Sequence, residues 1–158
     1  MINLPLKSFK AFLLCLFVVF CACNSETPAI NNLVAKLTEN AFKRQLDSVS
    51  YVVILPNTGC AGCITGVEDF AITNASKYPN ILFVFTKIVS KKTLKNKLGT
   101  DFLALKNVYL DTENEWAGVI AGKNEIYPNI LKYSNGKLVK IRYQSPKDTD
   151  VIRDLFNK

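Results

Sequence analysis

The chain contains no histidine in 158 residues. That absence excludes a Ser-His-Asp or Cys-His hydrolase, a zinc site with imidazole ligands, and c-type haem attachment, which needs Cys-x-x-Cys-His. Proton chemistry near neutral pH would fall to a perturbed thiol, carboxylate or amine. Methionine is almost missing as well, with Met1 the only one. There is no internal repeat and no low-complexity tract. The length fits one domain of roughly 100–200 residues and leaves no room for a two-domain enzyme. What is present is a 49% apolar fraction, enough for a core, together with 20 basic and 13 acidic side chains and five cysteines. The positions of those cysteines matter most.

Three of them fall in the first 23 residues. Lys7 and Lys10 precede an uncharged run of thirteen residues, 11–23, which is shorter than the ~20 a membrane-spanning helix needs. It suits the apolar stretch of a secretory signal with a basic start. Its end, Phe20-Cys21-Ala22-Cys23 followed by polar Asn24-Ser25-Glu26, resembles a bacterial lipobox, in which the cysteine receives lipid and becomes the new N-terminus. The expectation is a lipoprotein signal over 1–22, lipid on Cys23, a linker over 23–29 and one domain over 30–158. An ordinary secretory signal cut near Ala22, or an uncleaved anchor, is the alternative. Removing 1–22 takes Lys7 and Lys10 and no acid, which lowers the formal charge from +7 to +5. Much of the remainder sits in Lys87, Lys91, Lys92, Lys95 and Lys97. Without interleaved aromatics or a reading module these do not make a nucleic-acid surface, and a solvated helix face is expected, with contact to anionic headgroups or an acidic partner as the alternative.

In the rest of the chain, Leu33, Leu37, Ala41 and Phe42 recur at helical spacing and predict a helix over about 30–47. Tyr51-Val52-Val53-Ile54-Leu55 and Ile81-Leu82-Phe83-Val84-Phe85 read as strands covered on both faces. A helix over about 61–78 lies between them, so the pair forms a parallel βαβ unit. A helix over 91–98 and a short strand at 108–110 follow, and Thr112 with Glu115 has the spacing of a capping box. Ser134-Asn135-Gly136 between two apolar runs predicts a hairpin. Ser145 and Pro146 have the residue types of a helix start, with Val151, Ile152, Leu155 and Phe156 as the apolar face of a closing helix. The order calls for an α/β domain: a central mixed sheet with helices on both faces.

The chemistry sits at Thr58-Gly59-Cys60-Ala61-Gly62-Cys63. Cys60 is expected at a helix N-terminus, where unpaired N–H groups and the helix dipole favour a thiolate. Cys63, one turn later, is close enough to pair with it. A structural disulfide that merely staples the helix is the plain alternative.

The Cys60-Ala61-Gly62-Cys63 motif after Val52-Val53-Ile54-Leu55 resembles the active site of the thioredoxin-like family. Ile126-Tyr127-Pro128-Asn129-Ile130 and the hairpin after it resemble the same family, whose cis-proline faces the cysteine pair. The 65 positions between Cys63 and Pro128 are similar to the TlpA-like branch, which inserts a helix and a strand between the two halves. Val108-Tyr109-Leu110-Asp111-Thr112-Glu113 is also similar to that branch. Gly59 stands where thioredoxins carry tryptophan, and Ile54 where they carry a buried carboxylate. Glu68, the nearest acid on the helix, lies about 140° around it from Cys63, at about 100° per residue, and is expected to be solvated.

The resemblance implies a thiol-disulfide oxidoreductase with catalytic Cys60 and Cys63 and substrate backbone pairing at Tyr127 and Pro128. It implies exported disulfide proteins as substrates and a membrane thiol-reducing electron donor, on the periplasmic side of a bacterial membrane. It implies no cofactor and no metal in a monomer. The missing histidine between the cysteines leans toward a reductant. Trp116 and most phenylalanines are expected in the core or the groove wall rather than as cofactor contacts. Two rivals stay open: a Cu(I)-binding module using the same thiolates, which Gly59-Cys60-Ala61-Gly62-Cys63 locally resembles, and a non-catalytic lipoprotein.

Overall fold

The structure, a computed structural model, describes residues 26–120, 122 and 124–155. The expected signal, the linker up to Ser25, lipid-bearing Cys23 and Phe156 lie outside the described residues. The elements in chain order are α1 (Glu26–Phe42), β1 (Tyr51–Pro56), α2 (Ala61–Asn74), β2 (Ile81–Thr86), α3 (Lys91–Leu98), α4 (Thr100–Leu103), β3 (Val108–Leu110), β4 (Asn129–Ser134) and β5 (Lys137–Tyr143). Three short 3-10 turns join them at Leu46–Ser48, Glu115–Ile120 and Arg153–Leu155.

The five strands form one sheet in the order β3-β2-β1-β4-β5. β1, β2 and β3 run parallel, and β4 and β5 are antiparallel additions on the other side of β1. This is the mixed α/β sheet that the sequence called for, and α3, α4 and β3 form the segment inserted between β2 and β4. Because alternate residues of a strand face opposite ways, the apolar runs of β1 and β2 feed two cores. Val53, Leu55, Phe83, Phe85 and Ile130 pack with Val67 and Ala71 of α2 and Leu94 and Leu98 of α3. Val52, Ile54, Leu82, Val84 and Leu131 pack on the other face with Val34 and Leu37 of α1 and with Trp116. Trp116 is fully buried, as its core assignment required.

The hairpin turns at Asn135 and Gly136, whose φ values of 50° and 69° are the positive pair a two-residue turn demands. Other boundaries differ from those the sequence pattern predicts. α1 begins at Glu26, with Pro28 tolerated in its first turn, and ends before Lys43, whose φ is 54°. α2 stops at Asn74 because Asn107 reaches back to the carbonyls of Ala75 (2.9 Å), Tyr78 (3.3 Å) and Ile81 (3.0 Å). Thr112 does not cap the turn at 115–120. The Asp111 carboxylate does, accepting from the N–H groups of Glu115 (3.0 Å) and Trp116 (2.9 Å) and from the Thr86 hydroxyl (2.7 Å).

The closing helix expected from Ser145 is absent among the described residues. Ser145 and Asp148 instead exchange backbone hydrogen bonds of 3.1 and 3.0 Å in a tight turn. Arg142 holds that turn through Asp148 (2.9 Å) and Asp154 (3.2 Å). These hydrogen bonds, foremost that to Asp148, push the guanidinium's pKa upward. Gln144 braces the same strap from inside, donating to the Thr149 carbonyl and accepting from Ile152 N–H (3.2 Å). Val151 and Ile152 still reach the core, so the apolar residues are satisfied without helical geometry.

Candidate dithiol site

β1 delivers the chain to the end of the sheet, and the loop 57–60 turns it into α2. Asn57 is fixed there by its N–H on the Thr86 carbonyl (2.9 Å). Cys60 is the N-cap of α2, extended at φ −69° and ψ 95°, and its carbonyl accepts the first helical bond from Ile64 N–H (2.9 Å). Its side chain makes no capping hydrogen bond, and as N-cap the residue stands next to helix N–H groups that have no intrahelical acceptor. Cys63 sits one turn on, and the two are joined as a disulfide with Cα atoms 5.3 Å apart. Cys60 is half-buried and Cys63 buried, so Cys60 is the more accessible residue of the pair.

Gly59 accounts for the missing tryptophan. Its φ is +147°, and a Cβ there would come within 2.2 Å of the Ile126 carbonyl oxygen. That same oxygen accepts from Cys60 N–H at 3.0 Å. The loop before β4 therefore presses its backbone onto the residue before the first cysteine, and only glycine leaves room. A glycine beside a reactive cysteine is a sequence signal for such an approach; Ile126, which makes it, carries no signal of its own.

Tyr127 and Pro128 follow in this loop. Pro128 is buried, and its carbonyl accepts from Gln144 N–H (3.0 Å). No cis peptide bond occurs among the described residues, so the bond before Pro128 is trans where the resemblance implied cis. With that bond trans, the loop satisfies itself. Asn129 donates to the Asn124 (3.2 Å) and Tyr127 (2.8 Å) carbonyls, and Tyr127 N–H goes to the Asn124 carbonyl (3.1 Å). Both main-chain groups of Tyr127, expected to be offered to substrate, are thus held inside the loop.

On the other flank of the pair lies an open groove of about 620 Å³. Its floor is Cys60, Gly62, Cys63 and Gly66 of the α2 start, and its wall is the strap of Gln144, Ser145, Pro146, Thr149, Asp150, Ile152 and Arg153. Nothing lies within 4 Å of where a Cβ on Gly62 or Gly66 would stand. An ion pair between Arg153 and Asp150 crosses the strap. Sequence reasoning missed this wall because it treated 146–156 as a helix.

Glu68 corrects the expectation of a solvated acid. It is 2% exposed and ion-paired with Lys97, whose side chain is 49% exposed. The helical angle placed it off the Cys63 face correctly, but α3 of the inserted segment covers that side of α2. Ile54, at the position of the family's buried carboxylate, is fully buried and apolar. Among the described residues no group of three or more His, Cys, Asp or Glu could hold a metal ion. After reduction, Cys60 and Cys63 would offer two thiolates.

No protein-family model matches the chain, and no curated protein matches it. Among solved structures it is similar to the solution structure of a thioredoxin candidate from Neisseria meningitidis. The identity is 15% and the TM-score 0.46, over 70% of this chain and 76% of that one. It is also similar to the crystal structure of the pneumococcal exposed lipoprotein thioredoxin from Streptococcus pneumoniae strain TIGR4. There the identity is 16% and the TM-score 0.43, over 75% of this chain and 96% of that one.

Proposed function

We propose that this chain is a thiol-disulfide oxidoreductase of the bacterial envelope, anchored through lipid on Cys23 and acting as a reductant of exported proteins. The observation that carries the reading is the Cys60–Cys63 disulfide at the N-terminus of α2, with Cys60 half-buried and an open groove beside it. A staple whose only task is stability needs neither the groove nor a half-buried cysteine lining it.

In the reduced protein the Cys60 thiolate attacks one sulfur of a substrate disulfide. A Cys60–substrate bond forms, the substrate S–S bond breaks, and the leaving substrate thiolate takes a proton from water. Cys63, deprotonated, then attacks Cys60 Sγ. The intramolecular disulfide forms, the mixed disulfide breaks, and the second substrate thiol leaves. Two electrons have passed from the dithiol to the substrate, and an external dithiol donor must return them. Helix N–H groups favour the Cys60 thiolate. Ile54 contributes no base, so the Cys63 proton leaves to solvent through the groove. Substrate backbone pairs at Tyr127 beside Pro128, exchanging the Tyr127–Asn124 bond for an intermolecular one.

Replacing Cys63 with serine removes the resolving step. Incubated with envelope extract, that variant should accumulate mixed disulfides on Cys60 that dithiothreitol releases. No adduct, in a protein whose Cys60 still alkylates, would overturn the reading.

A further inference from the structure

Resting on that redox reading, we propose that the inserted segment is a partner-selecting arm. Val89 with Lys91, Lys92 and Lys95 forms a surface beside Cys60 that favours protein substrates carrying acidic side chains next to their disulfide.

Val89 is 77% exposed, the most exposed large apolar side chain among the described residues. It is not on a remote loop. Its N–H donates to Asn57 Oδ1 at 3.1 Å, and Asn57 begins the loop that ends in Cys60. The chain from Asn57 to Cys60 spans at most about 11 Å. A standard protein interface covers ~800 Å² per partner, a disc of roughly 16 Å radius. One footprint centred on the loop 57–60 therefore takes in both Cys60 and Val89. Ile126, 44% exposed, borders the same loop through its bond to Cys60 N–H. Two exposed apolar residues thus border the loop that carries Cys60.

α3 starts directly after Val89, with Ser90 as its cap accepting from Thr93 N–H (3.2 Å). The helix carries four lysines and no acid. Lys97 turns inward to Glu68, and Lys87 on the preceding loop is taken by Glu125 (3.1 Å). Lys91, Lys92 and Lys95 are exposed and have no carboxylate partner among the described residues. Like charges three or four apart on a helix repel and weaken it slightly. Burial of Leu94 and Leu98 outweighs that and keeps the helix formed. The helix thus holds three uncompensated cations in place on the element that begins directly after Val89. Cations so placed raise the encounter rate of an acidic partner and lower that of a basic one, within a Debye length of about 8 Å at physiological salt.

The test compares two disulfide-bridged peptides that differ only in flanking residues, glutamates in one and lysines in the other. The full chain, reduced and in detergent, is mixed with each at low salt, and exchange that survives Cys60→Ser is subtracted. The glutamate peptide should react roughly tenfold faster or more. That ratio should fall toward one at about 0.5 M salt. In the K91E/K92E/K95E variant it should invert. A ratio near one at low salt, or a ratio the triple substitution leaves unchanged, would overturn the proposal alone. Loss of binding to phosphatidylglycerol vesicles in the triple variant with the peptide ratio intact would also overturn it, in favour of a membrane surface. No Cys60-dependent exchange with either peptide would bring down the redox reading as well.

Discussion

The two flanks of the dithiol are built on opposite terms. On one, the loop before β4 closes on the chain: Gly59 leaves space for a carbonyl, and Cys60 N–H is bonded to that same oxygen. On the other, Gly62 and Gly66 open a floor that nothing fills. The first flank fixes where the reactive sulfur stands, and the second leaves space for what it meets. Glycine serves both, once because no Cβ fits and once because none is present to obstruct. A site for exchange with bulky partners needs this asymmetry, since a sulfur locked on both sides could not be reached.

Gly59→Ala attacks the locked flank and should have the largest effect. The added carbon meets backbone, at a φ that side chains rarely adopt. A loss of about 3 kcal/mol or more in chemical denaturation is expected, with slowed Cys60 alkylation in whatever folds. Lys97→Met tests the third side of α2, where the inserted helix neutralises Glu68. A fully buried pair broken this way costs about 3–5 kcal/mol, but Lys97 is half exposed, so a loss of about 1–2 kcal/mol is expected. Gly66→Ala probes the open flank. With no neighbour in reach and a helical position, it should stabilise by about 0.5–1 kcal/mol, read as a shifted denaturation midpoint. A cost there as large as at Gly59 would erase the contrast between the flanks.

The smallest effect lies away from both flanks. Burial raises the pKa of the Tyr133 phenol far above its ordinary value, and its hydroxyl has no hydrogen-bond partner among the described residues. Because the folded value lies above the unfolded one, stability from this group is fully present below pH ~10 and falls as pH rises further, when only the unfolded chain ionises. Tyr133→Phe should flatten that alkaline decline and change neutral-pH stability by less than about 1 kcal/mol. An alkaline slope unchanged in the variant would remove Tyr133 as its source.

What could be read from the sequence follows the range of the forces involved. β1 and β2 were legible because strands covered on both faces need unbroken apolar runs, and the hairpin because Asn135-Gly136 supplies its own backbone geometry. The cysteine pair was legible because its spacing and the strand before it are local. Glu68 was not, since its burial depends on a helix that begins 23 positions later. The end of α2 depends on Asn107, and the strap at 144–155 depends on Arg142 and Gln144 outbidding helix propensity at Ser145-Pro146. The contact between Ile126 and Gly59 joins backbone atoms of residues 67 apart, which no side-chain pattern encodes.

The central claim is that Cys60 and Cys63 form a redox-active pair rather than a staple. Equilibrating the protein in dithiothreitol and glutathione buffers and counting alkylated Cys60 and Cys63 gives their midpoint potential. A single two-electron transition above about −300 mV, within reach of cellular exchange, is predicted. A pair that stays oxidised well below about −300 mV would mark a structural disulfide and contradict the account.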